Sequence, residues 1–296
     1  MKDVITKKLC LGTAQFGFDY GIANVNGKIA RNEVFQILEF AHNSGIDTLD
    51  TAHSYGESEK TIGDFISGSG LSFNIISKLP QLGDNGIAGI ESICLETLDR
   101  LRRNKIYGYL VHKSSDIAAY KEGLWSALES MKEKGVIEKI GFSINRVEDL
   151  NYLLDNRISF DIIQIPYNLF DQRFKEKMPK LKEKGIEVHT RSIFLQGLFF
   201  IDMDAIEKNF QPAMDSMEKL RNISRESRIP IQALCICFAM LNSSIDKVII
   251  GVDSLEQLKE NIASLEYMDE VKDMHGLLES IKFHDEEVIL PCNWKI

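Results

Sequence analysis

Gly45-Ile-Asp-Thr-Leu-Asp50, Phe73-Asn-Ile-Ile-Ser-Lys78 and Ile106-Tyr-Gly-Tyr-Leu-Val-His112 decide the fold. Each is a short apolar run that reads as a β-strand, and each closes on a residue able to do chemistry. Between them, residues 57–67 and 88–103 carry apolar side chains at helical spacing. Strands that alternate with helices, with no hairpin turn between them, imply parallel pairing through right-handed crossovers.

The alternation extends in both directions. Upstream, Lys8-Leu-Cys-Leu-Gly-Thr13 reads as a first strand, and Val34, Ile37, Leu38 and Ala41 mark one face of a helix over 31–44 that Gly45 ends. Downstream come helix 117–134 closed by Gly135, strand 138–143, helix 147–155, strand 161–165, helix 174–184 stopped by Gly185, and strand 186–193. The eighth strand, 247–251, follows a long insertion. That insertion holds the loop Leu195-Gln-Gly-Leu-Phe-Phe-Ile201, a candidate lid, then helical segments 212–227 and 231–242 parted at Pro230. One of the two is the seventh crossover and the other is extra; a further helix over 270–282 lies in the tail. Eight such units in 296 residues favour a closed (β/α)₈ TIM barrel, a single domain over 1–296. The alternative, an open doubly wound sheet, normally carries a glycine-rich dinucleotide turn after its first strand. Leu11-Gly-Thr-Ala-Gln-Phe-Gly17 does not match it, and no phosphate loop of the G-x-x-x-x-G-K-[ST] kind is present.

Composition narrows the function classes. A net charge of −9 with scattered Lys and Arg argues against nucleic acid as a partner. The longest strongly apolar stretch, 233–241, is too short to span a membrane, and the first eight residues lack an apolar signal core, so a cytoplasmic location is expected. The 5 cysteines are scattered, as where thiols stay reduced. Cys235 and Cys237 sit in a helix, where residues two apart diverge, and read as core side chains. The histidines show no metal-ligand spacing, which counts against a metal-dependent barrel isomerase or hydrolase.

In a parallel barrel the functional site gathers at the carboxyl ends of the strands. Asp50, Lys78 and His112 end strands two, three and four, and Tyr55 lies in the loop after strand two. A carboxylate and an ammonium at neighbouring strand ends stabilise each other's charge. A cation beside Tyr55 lowers the phenol pKa from about 10 by roughly 1–3 units, which makes it a proton donor near neutral pH. A neutral imidazole at His112 can orient a carbonyl oxygen. Taken singly, a Lys–Asp pair inside a barrel is as often a structural ion pair as a catalytic one. All four meeting at one end fits protonation of an oxygen while a nucleophile reaches the adjacent carbon, and leaves the nucleophile unnamed.

The segment Asp50-Thr-Ala-His-Ser-Tyr-Gly-Glu-Ser-Glu59 resembles the signature of the aldo-keto reductases, and Lys78 and His112 follow at matching strand ends. The resemblance continues in Gly12-Thr13, Ile140-Gly-Phe-Ser143, Gln164 within Asp161-Ile-Ile-Gln-Ile-Pro-Tyr-Asn168, and Gly251-Val-Asp-Ser-Leu-Glu-Gln-Leu-Lys-Glu-Asn261. It implies a barrel that reduces a small-molecule aldehyde or ketone with a nicotinamide cofactor bound without a Rossmann fold. On this resemblance Tyr55 is the general acid, Lys78 and Asp50 tune it, and His112 orients the carbonyl. Ser143 and Gln164 would bind the nicotinamide carboxamide, with Arg191 or Ser192 near the nicotinamide or pyrophosphate. Gly251, Ser254, Gln257 and Asn261 would approach the adenosine end, and Gly12, Thr13 and Asp50 complete the cofactor set.

This chain departs from the family pattern at three places. Ser143 is followed by Ile144 rather than Asn, so one carboxamide contact is missing or comes from Asn145. Arg191 stands where many members stack an aromatic ring, and its planar guanidinium could stack instead. Asp253 stands where a basic residue often grips the 2′-phosphate; family habit favours NADPH, whereas this carboxylate favours NADH. Phe199, Phe200 and Trp294 either line the substrate pocket or pack the lid down. Similarity to bacterial members suggests a sugar-derived carbonyl. A different class of function, a nicotinamide-nucleotide sensor or partner subunit with vestigial chemistry, is the alternative, and the sequence leaves the oligomeric state open.

Overall fold

Eight strands pair in parallel and in chain order into a closed barrel. They are β1 (Leu9–Gly12), β2 (Thr48–Asp50), β3 (Asn74–Leu79), β4 (Ile106–Val111), β5 (Ile137–Ser143), β6 (Ile162–Pro166), β7 (Glu187–Arg191) and β8 (Lys247–Ile250). β1 closes the ring against β8, with Leu9 opposite Val248 and Leu11 opposite Ile250. This is a computed structural model, and it describes residues 5–82, 86–112, 116, 121–205 and 208–294.

Side chains alternate between the two faces of each strand, so parity decides what fills the barrel. Ile76, Leu110 and Ile162 form a small buried cluster of their own, with Tyr107 packed against it. They share parity with Lys78, His112 and Gln164, two residues further along the same strands. The interior is therefore apolar at mid-height and polar at the carboxyl ends. The opposite parity packs outward into the main core between barrel and helices, with Leu49, Ile75, Tyr109, Phe142, Ile163 and Val188 among its members.

The helices over Arg31–Asn43 (α1), Ser58–Ser69 (α2), Ile90–Leu101 (α3), Lys121–Glu133 (α4), Val147–Asp155 (α5) and Met178–Glu183 (α6) form the crossovers between successive strands. Residues 117–120, the expected start of α4, lie outside the described residues. After β7 come two helices, Met214–Ser227 (α7) and Ile231–Leu241 (α8), as the insertion suggested. Residues 233–240 of α8, Cys235 and Cys237 included, are all buried, because this helix is enclosed on every side. Leu255–Ala263 (α9) completes the ring, and no helix of the described residues is long and apolar enough to cross a membrane.

Element ends shift by a residue or two at several places, and three differences from the sequence expectation have a local cause. The helix expected at 174 starts at Met178, because Pro179 has no amide hydrogen to donate and belongs in a first turn. The strand expected to run to 193 ends at Arg191, since Ser192 adopts a left-handed backbone (φ 60°) that turns the chain out of the sheet. The tail helix expected over 270–282 divides at Met274 (φ −100°, ψ 10°) into α10 (Met268–Asp273) and α11 (His275–Glu279).

Candidate active site

At the carboxyl end of the barrel, Lys78 Nζ donates to Asp50 Oδ2 at 2.6 Å and to the Thr51 carbonyl at 2.8 Å. Lys78 is 1 % exposed and Asp50 4 %. Burial alone pulls the ammonium pKa down, but the Asp50 carboxylate and then Tyr55 more than offset it, leaving Lys78 above its ordinary value. The other Asp50 oxygen, Oδ1, accepts from Gln164 Nε2 at 2.6 Å across the barrel. Gln164 Oε1 in turn accepts from the Ser143 hydroxyl at 3.1 Å.

The chain of polar groups continues to Arg191 at the end of β7. Its Nε lies 3.4 Å from Ser143 Oγ, and its terminal nitrogen donates to the Ile144 carbonyl at 3.0 Å and to Asn145 Oδ1 at 2.7 Å. Asn145 lines the cleft but here its oxygen is engaged by Arg191.

Tyr55 is held by its loop rather than by a strand. Its N–H donates to the Ala52 carbonyl at 2.9 Å, and its own carbonyl accepts from the Ser58 N–H at 2.9 Å. The ring centre lies 5.1 Å from Lys78 Nζ, and the His112 ring stands edge-on at 6.3 Å between centroids. Phe18 approaches from the other side at 5.9 Å. The four residues thus meet as the strand-end rule requires.

A cleft of about 600 Å³ opens above them and runs from His112 and Tyr55 past Arg191 to α9. Gly12, Thr13, Asp50, Gln164, Ser192, Gly251, Asp253, Gln257 and Asn261 all reach its wall. Lys78, Ser143 and Ser254 do not. Lys78 and Ser143 lie behind the wall, bonded to Asp50 and Gln164, whereas Ser254 caps α9 by accepting from the Gln257 N–H at 3.2 Å. Asp253 and Gln257 lock together, the Asp253 N–H donating to Gln257 Oε1 at 2.8 Å.

The loop after β7 lies across one side of the cleft and is tied to the loop after β1. Ile22 N–H donates to the Gln196 carbonyl at 2.9 Å, and Gln196 Nε2 to the Tyr20 hydroxyl at 3.1 Å. Burial and the neighbouring Tyr55 push the Tyr20 phenol up to about 12, so it stays protonated. Phe200 lines the cleft, while Phe199 is buried against Phe170 at 4.9 Å and Trp294 packs on Phe210 at 4.8 Å. Pocket lining and lid packing thus divide among the three. Sequence reading missed Gln15, Phe18 and Tyr20. They follow a strand end just as Tyr55 does, so the same rule applied to the first strand points to them.

A sequence profile of the aldo/keto reductase family matches residues 8–282. The chain belongs to this family. Among curated relatives, an uncharacterized oxidoreductase of Bacillus subtilis (strain 168) is 26% identical over 283 residues, covering 86% of this chain and 90% of its own. The NADH-specific methylglyoxal reductase of Escherichia coli (strain K12) is 23% identical over 300 residues, covering 89% and 91%. D-threo-aldose 1-dehydrogenase of a Pseudomonas species is 24% identical over 294 residues, covering 84% and 89%. Among solved structures, the holo form of an aldo-keto reductase from Bacillus halodurans superimposes with a TM-score of 0.75 at 22% identity, covering 95% of this chain and 94% of that one. That likeness supports the barrel.

Proposed function

We propose that this aldo/keto reductase reduces an aldehyde or ketone with a nicotinamide dinucleotide as hydride source and Tyr55 as proton donor. The observation that carries the reading is Tyr55 standing on the cleft between the Lys78 ammonium, 5.1 Å from its ring centre, and the edge-on His112 ring. Lys78, kept cationic by Asp50, stabilises negative charge as it develops on the Tyr55 oxygen. Asp50 is fixed in turn by Gln164. His112 donates to the same carbonyl oxygen and aims it at the Tyr55 hydroxyl.

The residues on the cleft suit a nicotinamide group. On the wall, Gln164 Oε1 keeps a second lone pair for a carboxamide NH₂, while the Ser143 hydroxyl behind it holds the Gln164 side chain in place. Gly251 leaves room for the Gln15 side chain on the cleft wall, since a Cβ there would stand 3.0 Å from its amide nitrogen. When bound, the nicotinamide supplies hydride to the carbonyl carbon.

At the α9 end the cleft wall carries Asp253 and Glu260, and no described Lys or Arg lines that end. Carboxylates there repel a 2′-phosphate and accept from a free 2′-hydroxyl, which favours NADH over NADPH. The name of the Escherichia coli relative, NADH-specific methylglyoxal reductase, is in keeping with this choice. A sugar-derived carbonyl is the substrate class we favour, in line with the name of the Pseudomonas relative.

Tyr55→Phe tests the reading. Turnover on an aldehyde panel should fall by about 10²- to 10⁴-fold while NADH still binds by fluorescence titration. Undiminished turnover would remove Tyr55 from the mechanism.

A further inference from the structure

We infer that Arg191 makes this protein bind reduced nicotinamide dinucleotide more tightly than oxidised, by placing an uncompensated positive charge beside the nicotinamide. The inference rests on the nicotinamide site proposed above. Arg191 is the one Lys or Arg among the described residues that line the cleft. Its described partners are all neutral: the Ile144 carbonyl, Asn145 Oδ1 and the hydroxyls of Ser143 and Ser192. No described carboxylate pairs with it, whereas the other nearby cation, Lys78, is neutralised by Asp50 at 2.6 Å. The guanidinium is thus a net +1 on the same wall as Gln164, which the proposed site assigns to the carboxamide, with its Nε 3.4 Å from the Ser143 hydroxyl that holds Gln164.

The nicotinamide ring is neutral when reduced and carries a full positive charge when oxidised. A guanidinium a few ångströms away therefore repels only the oxidised form, in a half-buried site where such repulsion is weakly screened. The pyrophosphate and both riboses are the same in the two forms, so attraction between Arg191 and the pyrophosphate cancels in their ratio. What remains is the ring's charge. The expected bias is on the order of tenfold in dissociation constant, equal to about 1.4 kcal/mol. It raises the potential of the bound couple by about 30 mV. In carbonyl reduction the spent cofactor then leaves faster than it otherwise would, and the reduced cofactor displaces it readily.

The test compares the wild type with Arg191→Lys, which keeps the charge, and with Arg191→Gln and Arg191→Met, which remove it. Kd for NADH is read from nicotinamide fluorescence and Kd for NAD⁺ by competition against it. The ratio Kd(NAD⁺)/Kd(NADH) should drop about tenfold in both neutral variants and hold in Arg191→Lys. Arg191→Gln keeps an N–H donor at the place of Arg191 Nε, facing the Ser143 hydroxyl, so it reads the charge even if Arg191→Met folds poorly. Equal weakening of both forms, leaving the ratio unchanged, overturns the inference and makes Arg191 a pyrophosphate or structural contact. A wild type that binds neither form sinks the nicotinamide site itself, which is a separate failure.

Discussion

Asp50 is gripped on both carboxylate oxygens, by Lys78 and by Gln164, each at 2.6 Å. A buried pair of this kind is strongly destabilised when one partner is removed, because the other charge is left uncompensated. Lys78→Met should therefore cost about 3–5 kcal/mol in urea unfolding and lower turnover by about 10²-fold or more, with NADH affinity largely kept. The double variant with Asp50→Asn should recover part of the stability and none of the turnover. Recovery of both would mean that the pair is structural only. At the far end of the cleft, Asp253→Arg removes a carboxylate and adds a phosphate ligand. It should move cofactor preference toward NADPH by at least about tenfold in Kd, about 1.4 kcal/mol. An unchanged preference would place the 2′-position away from Asp253.

The loop carrying Tyr55 is seated by a glycine in another loop. A Cβ on Gly17 would lie 1.7 Å from the Tyr55 carbonyl oxygen, and Ser58 ties the same loop to the Thr13 carbonyl at 3.0 Å. Gly17→Ala should push the Tyr55 backbone away, destabilising by about 1–3 kcal/mol and lowering kcat more than it weakens NADH binding. Wild-type kcat in a folded Gly17→Ala protein would show that Tyr55 tolerates the shift. Nothing in the run Leu11-Gly-Thr-Ala-Gln-Phe-Gly17 reveals this contact, because it joins two loops whose approach only the closed barrel sets. Strands and crossover helices were legible because periodicity records which side of an element is buried. Ends were less so. The turn at Ser192 and the break at Met274 are backbone conformations that their side chains do not demand.

At the scale of the whole barrel, the meeting of Asp50, Tyr55, Lys78 and His112 followed from counting eight βα units and knowing which end of a strand each residue occupies. The cross-barrel bond from Gln164 to Asp50 did not, since strand stagger and tilt set which interior residues face each other. Near the strand starts the interior is closed by a second polar group that sequence reading passed over: Tyr107, Lys139, Glu187 and His189. The Tyr107 hydroxyl donates to Glu187 at 2.9 Å and accepts from Lys139 at 2.9 Å, Lys139 also pairs with Glu187, and His189 Nε2 lies 3.3 Å from it. Burial pushes the Glu187 carboxyl up, but hydrogen bonds from His189, Lys139 and Tyr107 outweigh it and hold the value at about 2, against 4.5 for the free group. A carboxylate whose pKa is depressed on folding contributes stability that is present above about pH 4.5 and lost as pH falls toward 2. The shift corresponds to no more than about 3 kcal/mol, and nearer 2 once solvent screening of a side chain 25% exposed is allowed for. Glu187→Gln should accordingly lower stability at pH 7 by about 2 kcal/mol and flatten the acid limb between pH 5 and 2. Urea unfolding of both proteins across that range reads the effect directly. Parallel acid limbs would assign the fall in stability to other carboxylates, and the group near the strand starts would then act through packing alone.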